Sequence, residues 1–426
     1  MDELVYIVGE FPSLSETFIL REMLDLVDRG VPLRIYALKR PRSGRRHADC
    51  ARLMERVTYR PRRGSIQWLA GHAAMALARP RGYTRLLARA LREAGSSRYQ
   101  LRERLVAFDA AVGLARAPFA SRIRHLHGHF AGVPATTARY VAELLGGGQK
   151  SPAPRYSFTA HAQDIYVGGQ KDRAGLEANL RGAAFVVTCT GYNREHLIRE
   201  HPGVPAEKIH RVYHGIDTRR FAPAKERGTG PAQILAVGRL LPKKGLHHLV
   251  AACGALRERG VAFQLIVAGD GPERDRLERL AAGHGIAGNT TFLGEVVQEE
   301  LVAVYAQADL FALPCVVTPE GDRDGLPNVI LEAMASALPV VSTRVSAIPE
   351  AVEDGVTGLL VPPGDVDALA AALEKLIRDA GLRQRLGEAG RARVERDFDL
   401  RNSPLAELFA RECDAVAHAI AGKETR

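Results

Sequence analysis

One group of charged side chains in the second half of the chain has the spacing expected of a phosphate site. The apolar run Ile234–Gly238 reads as a buried strand, and Arg239, Lys243 and Lys244 follow it, with Gly245 before a helical pattern. Cations at the carboxyl end of a parallel strand, beside the free N–H groups of a helix N-terminus, form a binding site for an anion. By itself the segment is equally compatible with a basic turn before an ordinary helix.

A second group is a pair of carboxylates eight residues apart. Asp324 and Gly325 lie at a predicted turn, Pro327 suits the first turn of a helix, and that helix runs to about Ala337. Glu332 falls two turns into the helix among apolar residues, where a carboxylate is costly unless it binds something. A ribose diol is a suitable partner, because a carboxylate accepts from both hydroxyls. The alternative is that Glu332 pairs with an arginine or caps neighbouring backbone.

The elements that must position these groups alternate between strand and helix along the whole chain. Apolar strands separated by helices predict parallel sheets covered on both faces, and hence an α/β protein with doubly wound, Rossmann-like domains. The predicted strands are 4–8, 33–38, 123–130, 156–161, 184–189, 234–238, 263–269, 290–294, 308–314 and 338–343.

Two domains are predicted from the length of 426 residues and from one unpatterned segment. The segment Phe221–Gln233 contains Pro, Gly and charge without periodicity, and reads as a linker. It divides the chain into an N-terminal domain, 1–222, and a C-terminal domain, 230–399. The remainder, 400–426, reads as a helix that can pack back on the first domain.

Composition indicates a globular protein of a reducing compartment. Five cysteines are scattered without a C-x-x-C spacing, which argues against a disulfide framework or a zinc site. No apolar run reaches the ~18 residues of a membrane span, and the N-terminus lacks the pattern of a signal peptide. We therefore expect a cytoplasmic location.

The positive charge is concentrated in the first half of the chain. Residues 1–220 hold 36 Lys and Arg against 20 Asp and Glu, whereas the whole chain carries a net charge of +10. Most of the excess lies between Lys39 and Arg124. Such a surface attracts anionic lipid or nucleic acid, although an arginine-rich solvated face explains it equally well. We rank nucleic acid below lipid, because aromatics are not interleaved among these arginines in the way that a stacking platform would need.

These segments resemble the retaining, nucleotide-sugar-dependent glycosyltransferases of family 4, whose two Rossmann-like domains face a cleft in the GT-B arrangement. The family carries an acid, seven residues and then Glu; this chain has Asp324 as the first acid, where the family has Glu, and Glu332 as the second. The N-terminal FPSLSETFILREM resembles members that build bacterial exopolysaccharides. The other matching motifs are FTAHAQDIY, YHGID, VGRLLPKKG, VAGDGPERDRLE, FLGEV, YAQADLFALP, LEAMASALPVVST and GLLVPPGD.

The resemblance implies roles for the side chains that match. Arg239 and Lys244 correspond to the pair that grips the donor diphosphate, and Glu332 to the acid that holds the ribose. Asp324 corresponds to an acid that touches hydroxyls of the donor sugar. His161, in the first domain, corresponds to a histidine that faces the donor sugar across the cleft.

The resemblance also implies roles for backbone groups. Gly325, Leu326 and Pro327 correspond to the helix start that contacts phosphate and sugar. The backbone near Gly294 and Val296 corresponds to the edge that binds the base.

The turn after the first strand has no glycine-rich dinucleotide pattern. If the second domain holds the nucleotide, as the resemblance implies, the first has no need of one. Ser13 and Glu16 have the S-x-x-E spacing of a capping box, which would explain much of the turn structurally. The functional alternative is that Phe11, Ser13 and Ser15 line the cleft on the acceptor side.

Three alternating histidines, His125, His127 and His129, would share one face of a strand, as metal ligands can. No acidic or cysteine partner is near them in the sequence, so we expect core or cleft wall rather than a metal site.

The sequence thus predicts transfer of a sugar from a nucleoside diphosphate sugar to a saccharide or lipid-linked acceptor, at an anionic membrane surface and without a metal or other cofactor. Retention of configuration follows from the resemblance alone. Two alternatives remain: a nucleotide-sugar 2-epimerase on the same scaffold, and a non-catalytic protein that binds membrane or nucleic acid.

Overall fold

A computed structural model describes residues 3–13, 16–41, 47–146, 153–221, 223 and 230–414. The chain forms two compact units. One unit takes in the chain up to residue 189 together with 193–212 and the segment from 404, and the other takes in 190–192 and 213–403. Much of the predicted linker, 222 and 224–229, lies outside the described residues. Within the described chain, no helix combines the length and the apolarity needed to cross a membrane.

The N-terminal unit is built on a seven-stranded parallel sheet of order β3-β2-β1-β4-β5-β6-β7. Its strands are β1 (Glu3–Glu10), β2 (Leu33–Lys39), β3 (Val57–Tyr59), β4 (Ile123–His129), β5 (Arg155–Ala160), β6 (Val186–Thr188) and β7 (Ile209–Arg211). Its helices are α1 (Thr17–Asp28), α2 (Ile66–Ala78), α3 (Pro80–Ala94), α4 (Arg98–Ala115), α5 (Val133–Gly146), α6 (Gly169–Lys171), α7 (Arg173–Gly182) and α8 (Gly191–Glu200), which begins at a crossing between the units.

The strand β1 shows why the sheet is covered on both faces. Residues 4–8 of this strand are apolar without interruption, so alternate side chains enter two different cores. Leu4 and Tyr6 pack on the side of α1, while Val5 and Ile7 pack on the side of α4 and α5.

The C-terminal unit has a six-stranded parallel sheet of order β10-β9-β8-β11-β12-β13. Its strands are β8 (Ala232–Val237), β9 (Phe263–Ala268), β10 (Thr290–Gly294), β11 (Leu310–Leu313), β12 (Val340–Thr343) and β13 (Gly358–Val361). Its helices are α9 (Leu246–Glu258), α10 (Arg274–Gly283), α11 (Gln298–Gln307), α12 (Asn328–Ala335), α13 (Ile348–Ala351), α14 (Val366–Arg378) and α15 (Ala380–Asp397). The prediction of two doubly wound parallel sheets is confirmed.

A short C-terminal helix, α16 (Leu405–Ala410), belongs to the N-terminal unit. Leu405 and Phe409 are buried in the same core as Tyr6, and the Phe409 ring centroid lies 5.9 Å from that of Tyr6. The segment therefore returns to the first unit, as the sequence predicted.

Candidate functional site

The C-terminal sheet has a switch point between β8 and β11, where the order of strands reverses. Loops that leave two adjacent strands at such a point diverge and leave a crevice at the carboxyl edge, where ligands of doubly wound sheets bind. Here the loops are 238–245 after β8 and 314–327 after β11. They are joined by a hydrogen bond in which the Val316 N–H donates to Lys243 O at 2.9 Å.

Gly245 allows these loops to approach closely. Its φ is +65°, and a Cβ at this position would lie 1.9 Å from Pro314 O. A side chain is therefore excluded both by backbone conformation and by space. The glycine fixes the position of the two lysines immediately before it.

The two lysines form a cluster with two acids of the second loop. Lys244 Nζ lies 2.7 Å from Asp324 Oδ2, while Lys243 Nζ lies 3.5 Å from Asp324 Oδ1 and 3.0 Å from Asp322 Oδ1. Burial raises the pKa of Asp324, but Lys244 and Lys243 outweigh it, so that pKa lies below its ordinary value. Burial lowers the pKa of Lys244, but Asp324, with smaller contributions from Cys315 and Asp322, more than reverses this, so the pKa of Lys244 lies above its ordinary value. Both Lys244 and Asp324 are therefore charged at neutral pH.

Arg239 adds a third cation to the same loop. Its side chain is exposed, and within the described part of the chain no hydrogen bond or ion pair engages its guanidinium. A planar guanidinium without a protein partner is well suited to bind two oxygens of a phosphate.

Glu332 lies below this edge on α12 and is only 4% exposed. Tyr305 OH donates to Glu332 Oε2 at 3.0 Å, so a tyrosine holds one oxygen of the carboxylate. The sequence suggested two alternatives to ribose binding, an ion pair with an arginine and a cap of neighbouring backbone. The bond from Tyr305 is a third kind of contact, with a side-chain hydroxyl. The helix starts at Asn328, with Pro327 as its N-cap residue, and ends at Ala335, two residues before the predicted end.

The remaining backbone positions lie near the same edge of the sheet. Gly325 O accepts from Ala347 N at 3.1 Å, and Leu326 packs against the core in a half-buried position. Gly294, with φ +74°, ends β10 and accepts from Gly269 N at 2.8 Å, and Val296 is half-buried just after it. These contacts hold the two segments in place.

The N-terminal sheet also has a switch point, between β1 and β4, where the order of strands reverses. The turn after β1 lies at this point. Phe11 is buried in the core and Ser13 is half-buried in the turn, while Ser15 lies outside the described residues. The capping-box prediction is wrong. The helix α1 begins at Thr17 with Glu16 as its N-cap residue, and Glu16 O is the first helical acceptor, so Ser13 precedes the helix by four residues.

His161 lies just after β5 and is part of a buried polar chain. Its Nε2 is 3.4 Å from His129 Nδ1, and His129 Nε2 is 2.8 Å from Glu22 Oε1. The backbone N–H of His161 donates to Asp164 Oδ2 at 3.1 Å, as does that of Ala131. Burial raises the pKa of Asp164 to about 6.

The three alternating histidines are core residues, each fully buried. Both ring nitrogens of His127 are hydrogen-bonded to hydroxyls, to Ser157 Oγ at 2.8 Å and Thr159 Oγ1 at 3.0 Å. The expectation that no acid lies near them is wrong, because the fold brings Glu22 against His129. Ligand atoms of Glu22, His127 and His129 lie within 4.8 Å of one another, but the hydroxyls already satisfy His127. Burial lowers the pKa of His125 to about 3, so that ring is neutral.

The comparisons with known proteins agree with this architecture. Residues 217–393 match the family model of glycosyl transferases group 1. The amylovoran biosynthesis glycosyltransferase AmsK of Erwinia amylovora is 30% identical over 96% of this chain and 99% of its own length. WcaL of Escherichia coli strain K12, a glycosyltransferase named for colanic acid biosynthesis, is 30% identical over 94% of this chain and 97% of its own. Among solved structures, sucrose-phosphate synthase of Thermosynechococcus elongatus has the same fold, with a TM-score of 0.70 and 20% identity over 96% of this chain and 99% of its own.

Proposed function

The chain belongs to the group 1 glycosyl transferases, and we propose that it moves a sugar from a UDP- or GDP-linked donor to a hydroxyl of a saccharide or lipid-linked acceptor. The observation that carries this proposal is the cluster of Lys243, Lys244, Asp322 and Asp324 beside the unpaired guanidinium of Arg239. This cluster lies at the switch point of the C-terminal sheet, where a nucleotide is expected.

The cations act on the diphosphate. As the bond between the anomeric carbon and the β-phosphate oxygen breaks, negative charge grows on the leaving group and positive charge grows on the sugar ring. Lys244 and the N–H groups at the start of α12 are fixed before the donor arrives, so they stabilise this charge without reorganisation. The exposed guanidinium of Arg239 adds a third cation that binds the phosphate oxygens once the donor is present. Because these groups neutralise the diphosphate, the reaction needs no divalent metal.

Asp324 and Glu332 orient the rest of the donor. Asp324 is held by Lys244 and presents its carboxylate to hydroxyls of the sugar, whereas Glu332, held by Tyr305, accepts from the ribose. The backbone of Gly294 and Val296 binds the base, and that of 325–327 binds phosphate and sugar.

The acceptor occupies the N-terminal domain, on the side of the turn after β1 where Ser13 is half-buried, whereas Phe11 is packed in the core and does not contact it. His161 is the residue of this domain that we assign to the donor sugar, and within the domain its ring is oriented by His129 and Glu22. The acceptor hydroxyl attacks on the face that the diphosphate leaves, so the sugar keeps its anomeric configuration.

The product is a cell-surface polysaccharide or its lipid-linked precursor. AmsK and WcaL, both similar to this chain over almost all of their length, are named for the synthesis of such polymers. The arginine-rich N-terminal domain then works at the anionic inner face of the cytoplasmic membrane, where a lipid-linked acceptor resides.

A screen of nucleotide sugars tests the proposal. A donor should raise the melting temperature of the protein, and an acceptor should then cause release of nucleoside diphosphate and formation of a glycoside with the anomeric configuration of the donor. Turnover of the donor without any acceptor would indicate the 2-epimerase instead. No stabilisation by any nucleotide sugar would refute donor binding.

A further inference from the structure

The helix α2 exposes an apolar stripe that the proposed reaction does not use. Its sequence, IQWLAGHAAMALA, contains no Asp, Glu, Lys or Arg. Ile66 and Leu77 are each 84% exposed and Leu69 is 55% exposed. With Ala70 and Ala73 they fall at i, i+3, i+4, i+7 and i+11, which is one face of a helix.

The opposite face holds α2 firmly on the N-terminal unit. Met75 is buried, and the ring centroid of His72 lies 5.6 Å from that of Phe108 on α4. His72 Nδ1 is 3.0 Å from Tyr83 OH on the next helix. Ser65 caps the helix, accepting from the Trp68 N–H at 3.2 Å. The exposed stripe is therefore a formed surface of a fixed helix, and such apolar surfaces mark sites of interaction.

Arginines lie at both ends of the stripe and none lies within it. Arg62 and Arg63 precede α2 and Arg81 and Arg85 follow it, all with exposed side chains. An exposed apolar face can enter the acyl boundary of a bilayer, and exposed arginines beside it are attracted to anionic lipid headgroups. Here the packed side of α2 faces the protein, and the charges lie at its two ends rather than on an opposite face of the helix. The arginines also disfavour a contact between two copies of the chain through this stripe. A symmetric contact would bring these positive charges of both copies together, and they would repel one another.

We propose that α2 lies in the interface of an anionic bilayer, with Ile66, Leu69 and Leu77 among the acyl chains and the flanking arginines on lipid phosphates. This goes beyond the general attraction of a basic domain to a membrane, because it assigns a salt-resistant apolar anchor to one helix. It does not depend on the reaction, since membrane binding is measured without donor or acceptor.

The test is co-sedimentation of the full chain with vesicles of phosphatidylcholine, with and without phosphatidylglycerol. The variant that carries Ile66→Gln, Leu69→Gln and Leu77→Gln keeps helix propensity, since Gln is a good helix former. We expect its partition coefficient to anionic vesicles to fall about 100-fold, the scale of withdrawing three apolar side chains from lipid. The matched control is Val356→Gln, at a 49% exposed position of the other unit, which should bind like the parent.

Salt separates the two contributions. Arg81→Gln should weaken binding at low salt and have little effect at high salt, because exposed charges are screened. Arg279→Gln, on an exposed position of α10, should leave binding unchanged at either salt concentration.

Three results would overturn the inference: no binding of the parent to anionic vesicles, equal binding by the triple variant, or conversion of a parent dimer to a monomer by the triple substitution in the absence of lipid. The last would make the stripe a contact between copies. Calorimetry with UDP and GDP on the same variants measures the donor site independently of membrane binding. A failure of the proposed donor site would appear there as a loss of nucleotide binding by the parent.

Discussion

Replacing Lys244 is the sharpest test of the donor site. Its side chain is only 13% exposed, and its ammonium lies 2.7 Å from Asp324 Oδ2. Two unit charges ~4 Å apart interact with about 4 kcal/mol at an effective dielectric constant of about 20. The diphosphate gains one negative charge as it leaves, so Lys244→Ala removes more stabilisation from the transition state than from the bound donor. Water that fills the space left by the lysine side chain restores part of the lost stabilisation of the transition state. We therefore expect kcat/KM to fall about 100-fold, and kcat to fall as well.

The neighbouring lysine supplies the control. Lys243 Nζ is 3.0 Å from Asp322 and 3.5 Å from Asp324, so Lys243→Ala removes the same charge and leaves the closest pair intact. We expect a loss of less than about tenfold for this variant. Steady-state kinetics with the nucleotide sugar, beside calorimetry with the free nucleoside diphosphate, measure both effects. Parent-like kinetics for Lys244→Ala, or equal losses for the two lysines, would refute the reasoning.

Three further predictions concern ribose, metal and pH. Glu332→Ala should mainly raise KM for the donor, because ribose binding is similar in ground and transition states. Asp324→Ala removes both the sugar contact and the partner of Lys244, so it should impair transfer more than it weakens calorimetric binding of the nucleoside diphosphate; the reverse pattern would exchange their roles. Activity should survive treatment with EDTA, because cations of the protein take the place of a divalent metal at the diphosphate. Complete loss of activity in EDTA that Mg²⁺ restores would contradict this. The folded-state pKa of Asp164, about 6, exceeds its unfolded value, so the free energy of unfolding should fall as pH rises from about 4 to 6. Asp164→Asn should reduce that slope in urea titrations, because an amide oxygen can keep the bonds from Ala131 and His161 without a charge; an unchanged slope would refute this.

The fold was predictable where strands are long and apolar. A run such as that of β1, or of β9 at Phe263–Ala268, has enough buried residues to be recognised without its neighbours. The strands β3, β7 and β13 were not predicted because each holds only three or four residues and none lies in a longer apolar run, whereas the equally short β6, β11 and β12 do. These residues become strands because they pair with adjacent strands of the sheet, and their own sequence has no pattern that predicts it.

The site was predictable where residues are close in sequence or fit a motif, and not where the fold brings distant groups together. Spacing identified Arg239, Lys244 and Glu332, but Tyr305 lies 27 residues before Glu332 and reaches it only through packing. Glu22 reaches His129 across 107 residues in the same way. Such contacts have no local pattern.

The charges of the donor site also explain why acids lie within a site for an anion. Lys243 and Lys244 are balanced by Asp322 and Asp324, and Arg239 leaves a net charge of about +1. Without the acids, neighbouring lysines in a poorly solvated crevice would repel one another and lose their protons more readily. With them, Lys244 is held charged, as its raised pKa indicates, and points at a fixed place before the donor arrives. In the proposed reaction a donor diphosphate shares a cation that is already in position, and the same bond fixes Asp324, which we assign to the sugar. On that proposal, one ion pair aligns the group that stabilises the leaving charge with the group that holds the sugar.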